Sequence, residues 1–311
     1  MAEESWSEDV CANVGIPLEK LPDCHASTHV LGEVTSSTAR MVGLKRGTPV
    51  VCGGGDFPCT AFGAGVIGPG RTCDNSGTVT NLIVALDKPR FDWRFINAHS
   101  VMPKQWYAAA GMLTTGAMIR WFRENLARGE EKKARRLRVS PYTLLDESAA
   151  KVPPGSEGHI VLPYFAGERS PIFDLKARGV FFGLNLATRK EHIFRAMLEA
   201  TAYGMRHNLE VFEELNYEVG EIRAVSGGAK SRLWLQIKAD VIGRELAVPD
   251  MLETGTLGVA VLAGTGVKAL ANFEAVNRMI RIVTRYSPRA SLHEKYSRFY
   301  QLYRKMYERL K

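Results

Sequence analysis

Residues 52–65 of the 311-residue sequence read CGGGDFPCTAFGAG, and Asp56 within them is fit for two kinds of work. Three glycines end a β-prone run, so the chain can turn sharply there and a ligand can approach its backbone. An aspartate just before Phe57 and Pro58 is a good helix N-cap. A carboxylate at a strand end beside a glycine turn is also where open α/β sheets place their chemistry. The two roles are compatible, and the local sequence alone favours the cap. Two other stretches could hold an anion or a flat ring. In DNSGTVTN, Ser76, Gly77 and Thr78 offer backbone N–H groups and two hydroxyls in a tight turn, although the same residues also make an ordinary hairpin connection. In VSGGAKSRLWLQ, Gly227 and Gly228 suit a base or phosphate lying on bare backbone, or simply close packing. The full G-x-G-x-x-G fingerprint is absent, which argues against a nicotinamide site. Glu168 and Arg169, in PYFAGERSP (163–171), read as an internal ion pair or loop staple, with direct substrate contact as the alternative. His192 falls near the surface at the start of a long helix and receives no chemistry.

These residues sit in alternating strands and helices. HVLGEVTSSTARMVGL and GTPVVCGGG give a short strand, a small helix and a buried strand. RTCDNSGTVTNLIVAL reads as a hairpin-like pair bent at SGT. AAAGMLTTGAMIRWFRENLARG looks helical, with Met118, Ile119, Trp121, Phe122 and Leu126 on one apolar face. A buried strand and long loop follow Pro153, Pro154 and Gly155. KEHIFRAMLEATAYGMRHNLEVFEEL carries a core stripe at Ile193, Met197, Ala200 and Gly204. EIRAVSGGAKSRLWLQIKADVIG is strand, glycine turn, helix. ELAVPDMLETGTLGVAVLAGTGVKAL is a short strand and an alanine- and glycine-rich helix able to pack against a sheet, and a last helix spans roughly 291–310. The class is α/β, without a 20–50 residue repeat.

Composition narrows the function classes. Hydrophobic residues make up 45% and charged residues 24% of the chain, as in ordinary globular proteins. The five cysteines (Cys11, Cys24, Cys52, Cys59, Cys73) are odd in number and contain no C-x-x-C pair, so neither disulfides nor zinc is indicated. No apolar run of ~18 residues could span a bilayer, and MAEESWSEDVCANVG is unlike a leader, so the expected place is the cytoplasm, without a membrane partner. The net charge of +8 is compatible with nucleic acid or an anionic substrate such as ATP. Its excess lies in ARGEEKKARRLR (127–138) and KYSRFYQLYRKMYERLK, both read as solvated helix faces. No recognition motif accompanies it, so no nucleic-acid partner is expected.

Taken in order, the segments resemble the FGGY family of carbohydrate kinases, with a xylulokinase-like flavour in GERSPIFDLKARGVFFGL. The family's C-terminal signature appears as GVFFGLNLATRKEHIFRAMLE, from Gly179 to Glu199. The resemblance implies a ribonuclease-H-like (actin-like ATPase) lobe, a mixed sheet flanked by helices, over residues 67–311, and a remnant of a second, sugar-binding lobe over 1–66. It implies an ATP-dependent, Mg²⁺-using sugar kinase acting on a ketopentose such as D-xylulose. Asp56 matches the general base that takes the sugar hydroxyl's proton, while Ser76, Gly77 and Thr78 fall in the phosphate turn. Gly116 and Arg120 match helix positions beside the nucleotide, and Gly227, Gly228, Ser231 and Arg232 match the adenine and ribose segment. No protein metal ligand is assigned. The family's D-x-G-T loop, its Mg²⁺-side acid and its sugar pocket have no counterpart in the sequence, so a truncated chain with little activity alone is expected. An exposed sheet edge or apolar patch able to support a homodimer goes with that expectation. The rival reading is a non-catalytic nucleotide-binding or scaffold protein on the same lobe.

Overall fold

The computed structural model describes residues 4–311. Its first elements are α1 (Glu8–Val14), β1 (Val30–Glu33), α2 (Ser36–Val42), β2 (Pro49–Val51) and α3 (Asp56–Gly63). Then come β3 (Gly70–Ser76), β4 (Thr80–Leu86), β5 (Ile96–His99), β6 (Trp106–Met112), α4 (Thr115–Leu126), α5 (Arg128–Leu137), α6 (Pro141–Ala149), β7 (Ile160–Leu162) and β8 (Val180–Phe182). The chain continues with α7 (Lys190–Glu214), β9 (Val219–Val225), α8 (Arg232–Ile242), β10 (Leu246–Pro249), α9 (Thr254–Gly266), α10 (Ala275–Met279), β11 (Ile282–Tyr286) and α11 (Ala290–Leu310).

Seven strands form one sheet in the order β11-β10-β9-β3-β4-β6-β5. β9 is parallel to both β3 and β10, and the remaining pairs are antiparallel. The inner five strands are a meander followed by two strands parallel to its first, which is the ribonuclease-H-like order. The β3–β4 hairpin closes at the Ser76–Thr80 pair, because two β-prone runs flank a short polar turn. Alternation along β4 then feeds two layers. Leu82 and Val84 pack with Met205, Leu209 and Phe212 of α7 and with Leu235 and Ala239 of α8. Ile83 and Ala85 pack with Ala61 of α3 and Ala64 just beyond it.

Three expectations change. The segment AAAGM belongs to β6, and the helix begins only at Thr115. A strand buried on both faces and built of small residues carries no alternation to distinguish it from a helix. The alanine- and glycine-rich α9 lies against α3 rather than the sheet. A Cβ on Gly258 would stand 2.2 Å from the Cys59 carbonyl, and one on Gly63 1.8 Å from that of Thr254, so only glycines allow this approach. The PVV strand is exposed, because β2 pairs with β1 alone among the described residues. Val30, Leu31, Met41, Val42 and Val50 are exposed with it, giving the uncovered edge that the sequence suggested. The two basic stretches are solvated as expected. α5 buries only Ala134, and α11 buries a stripe of Tyr296, Tyr300 and Tyr303 while Arg298 stays 80% exposed.

One buried charge pair stands out. Lys238 of α8 reaches Asp74 of β3 at 2.6 Å with both side chains at most 2% exposed. Removing one partner of such a pair strands the other charge, which typically costs about 3–5 kcal/mol, whereas replacing both with apolar groups is often neutral. Lys238→Met alone is therefore expected to lose stability on that scale, and Lys238→Met/Asp74→Leu to recover most of it. Urea unfolding of the three proteins measures this, and a double variant no better than the single would contradict it.

Candidate functional site

The turn at the end of β3 is held from below and from the side. Gly77 N donates to the Val79 carbonyl at 2.8 Å, and Ala117 N of α4 donates to that of Thr78 at 2.9 Å. α4 thus starts directly on the turn. A Cβ on Gly116 would stand 2.0 Å from the Gly77 carbonyl oxygen, so residue 116 has to be glycine for this contact. Beneath, Ser76 Oγ donates to Asp74 Oδ1 at 2.5 Å, lies 2.9 Å from Thr80 Oγ1 and accepts from Lys238 Nζ at 2.7 Å. Thr80 and Thr115 hydroxyls meet at 2.9 Å, carrying the chain of bonds from β3 to α4.

The second glycine turn docks on the first. A Cβ on Gly228 would fall 2.6 Å from Ser76 Cβ, while one on Gly227 would meet open space. Ser231 caps α8, accepting from Trp234 N at 3.0 Å. Between the two turns and helices α4, α6, α7 and α8 lies a cavity of about 520 Å³. Gly77, Thr78, Gly116, Arg120, Gly227, Gly228 and Ser231 all line it. Ile119, Phe194, Leu198 and Trp234 give it an apolar side, and Ser140, Thr143 and Asp146 a polar one. Arg120 and Lys230 are exposed at its walls, with no acceptor in reach among the described residues. Burial pushes the Asp146 carboxyl up to about 6, against the pull of its bond from Ser231.

Several sequence expectations are corrected here. Ser76 does not reach the cavity: it is 1% exposed and spent on the network under the turn. Arg232 is exposed at the first residue of α8 and lines no wall of the cavity. Asp56 is not the N-cap, a position held by Gly55. It is the first residue of α3, exposed, and its Oδ1 accepts from Phe57 N at 2.6 Å. It stands outside the cavity. His192 is buried rather than near the surface, stacked on His159 with its Nδ1 accepting from Arg189 N at 2.9 Å. Glu168, by contrast, is the loop staple that the sequence favoured, accepting from Leu113 N at 2.8 Å and Arg169 N at 2.9 Å, just before α4. Asp146, Trp234 and Lys230 were not singled out from sequence. Pro141 behind the capping Ser140 marks the start of α6, but nothing in PYTLLDESA tells which face meets a cavity.

Burial lifts Glu168 to about 7, more than its two backbone donors and the nearby Arg169 charge lower it. The folded value lies above the unfolded one, so ionisation costs stability. That cost is absent below ~4.5, grows as pH rises and is complete above about 7. Glu168→Gln keeps an acceptor without the charge, and its stability relative to wild type should improve by on the order of 3 kcal/mol between pH 4.5 and 7.5. Unfolding both proteins at the two pH values checks this; a difference that does not move with pH would refute it.

Residues 75–267 match the FGGY family of carbohydrate kinases, C-terminal domain, and residues 1–63 match that family's N-terminal domain. The chain is similar to the gluconokinase of Bacillus licheniformis, with 30% identity over 301 residues, 96% of this chain and 59% of the relative. It is similar to the autoinducer-2 kinase of Escherichia coli (strain K12), with 33% identity over 305 residues, 95% of this chain and 57% of the relative. Among solved structures, xylulose kinase from Rhodospirillum rubrum matches with a TM-score of 0.87 and 31% identity, over 100% of this chain and 61% of that one. The chain therefore spans less than two thirds of the length of each of these relatives.

Proposed function

The chain belongs to the FGGY family of carbohydrate kinases, and from that premise we propose that it supplies the nucleotide site and the proton acceptor of ATP-dependent sugar phosphorylation. The observation that carries this reading is the convergence of Gly77, Thr78, Gly116, Arg120, Gly227, Gly228 and Ser231 on one cavity. At about 520 Å³ it falls in the range of small-molecule sites. Bare backbone at Gly227 faces open space, the apolar side suits a planar base, and the unpaired Arg120 and Lys230 suit phosphate. MgATP supplies the transferable phosphoryl group. Among the described residues no group of three or more His, Cys, Asp or Glu is placed to hold a metal ion. Mg²⁺ would then be carried by the phosphates of the nucleotide.

Phosphoryl transfer asks mainly for positioning and charge stabilisation. The Gly77–Thr78 turn orients the phosphates through the N–H and hydroxyl of Thr78, the Gly77 N–H being spent on Val79, and Arg120 and Lys230 offset their charge. Asp56 Oδ2 has no partner among the described residues and is open to solvent, so it can accept the proton of an attacking hydroxyl. For the acceptor we favour a ketopentose such as D-xylulose, a choice supported by the xylulose kinase at 31% identity, with gluconate as the rival supported by the gluconokinase. Division of the chain near residue 66 is supported by the gap between the two family matches. No helix of the described residues is long and apolar enough to cross a membrane, and we place the reaction in the cytoplasm.

On its own the chain is expected to bind nucleotide weakly and to phosphorylate slowly, since no D-x-G-T loop occurs in it. Titration calorimetry with MgATP, and ADP release over xylulose and gluconate, test this. Whatever sugar-dependent rate is found should fall ~10²–10⁴-fold in Asp56→Asn with nucleotide affinity unchanged. An undiminished rate would remove Asp56 from the role of base. Binding without any turnover would favour the scaffold reading. Gly116→Ala, whose methyl must displace the Gly77 carbonyl, should weaken MgATP binding roughly tenfold or more, equivalent to one lost hydrogen bond to a charged group. Unchanged affinity there would place the phosphates elsewhere.

A further inference from the structure

Asp146 is the one carboxylate among the residues that line the cavity, and its bonding leaves it half free. Its Oδ2 accepts from Ser231 Oγ at 2.7 Å. Ser231 is committed in turn, giving its only proton to Asp146 and accepting from Trp234 N. Oδ1 of Asp146 has no hydrogen bond among the described residues.

An ionised carboxylate only accepts hydrogen bonds. The triphosphate of ATP brings acceptors and negative charge, and Asp146 repels it toward the Gly77–Thr78 turn and Arg120. The donors that a nucleoside offers are its ribose hydroxyls and the amino group of the base. The base is better served by Ile119, Phe194, Leu198, Trp234 and the bare glycine turn. Asp146 shares its wall with the hydroxyl side chains of Ser140, Thr143 and Ser231, a polar surface matched to a sugar.

Resting on the nucleotide reading above, we propose that Asp146 Oδ1 accepts a ribose hydroxyl, so that this site distinguishes ribonucleotides from deoxyribonucleotides. Asp146 is then a specificity-determining residue supplied by α6, the helix that the cavity would otherwise use only as a wall. Its link to Ser231 sets its orientation, because the same hydroxyl fixes the first turn of α8.

Titration calorimetry of the wild-type chain at pH 7.5 with ATP, 2′-deoxyATP, 3′-deoxyATP and inosine triphosphate tests the assignment without any variant. At least one deoxy compound should bind about tenfold more weakly than ATP, the scale of one hydrogen bond to a charged acceptor. Inosine triphosphate, which lacks the amino group, should bind within about twofold of ATP on the same criterion. In Asp146→Ala, circular dichroism confirming the fold, the deoxy discrimination should vanish while affinity for the weaker deoxy compound is kept. Equal binding of ATP and both deoxy compounds overturns the assignment and leaves the nucleotide site standing. Selective loss of inosine triphosphate also overturns it, since the donor would then be the base. Retained discrimination in the alanine variant overturns it as well. Failure of every nucleotide to bind overturns the nucleotide reading itself.

Discussion

The site depends on a buried charge pair that lies behind the cavity wall and does not line it. Lys238 lies 2.6 Å from Asp74, 2.7 Å from Ser76 and 4.4 Å from the centre of the Trp234 ring. A buried ammonium is tolerable only where its protons are used, and here Asp74, Ser76 and an aromatic face use them. Ser76 passes the constraint to Thr80, and Thr80 passes it to Thr115 at the start of α4. Each link is buried, so breaking one leaves a polar atom with neither partner nor water. The turn at residues 77–78, the first turn of α4 and the ring of Trp234 are thereby fixed relative to one another, and these are three walls of one cavity.

The cavity's chemistry follows from what is left unpaired around that rigid floor. Gly116 and Gly228 are pressed against the turn so closely that neither tolerates a side chain, which leaves backbone as the contact surface. The cations at the rim, Arg120 and Lys230, are the groups that folding did not consume. The carboxylate, Asp146, is half consumed by Ser231. An elongated ligand with phosphates at one end and hydroxyls toward the other would meet complementary groups along its length, and that match underlies the proposed nucleotide reading.

Much of this was legible in the sequence because it is local. The bend at Ser76–Thr78, the glycine pair at 227–228 and the long α7 follow from turn chemistry and periodicity over a few residues. What escaped was set by tertiary partners. Ser76 looked like a phosphate hydroxyl until Lys238, 162 positions away, claimed it. Asp146 gave no signal, since a carboxylate on a polar helix face reads the same whether it meets water or a cavity. The small residues of β6 read as helix because burial on both faces erases alternation, and β2 read as buried because its composition cannot report that, among the described residues, β1 alone lies beside it.

Asp56 poses the complementary case, an exposed carboxylate whose carrier is rigid. α3 is clamped between the sheet and α9. Its flank meets the glycines of α9, and Thr254 Oγ1 donates to the Thr60 carbonyl at 3.0 Å. Beyond its end, Arg223 of β9 donates to the Ala64 carbonyl at 2.8 Å and Tyr107 of β6 to that of Val66 at 3.0 Å. Mechanically the helix belongs to the large sheet, although the strand that leads into it belongs to the exposed β1–β2 pair. Gly53, Gly54 and Gly55 form the joint between them. A carboxylate at that joint keeps a fixed position relative to the strands that carry the Gly77–Thr78 turn. Capping would need only a helix end; the proposed base needs an acceptor that is both open and held in place, and the packing of α3 suits that proposal.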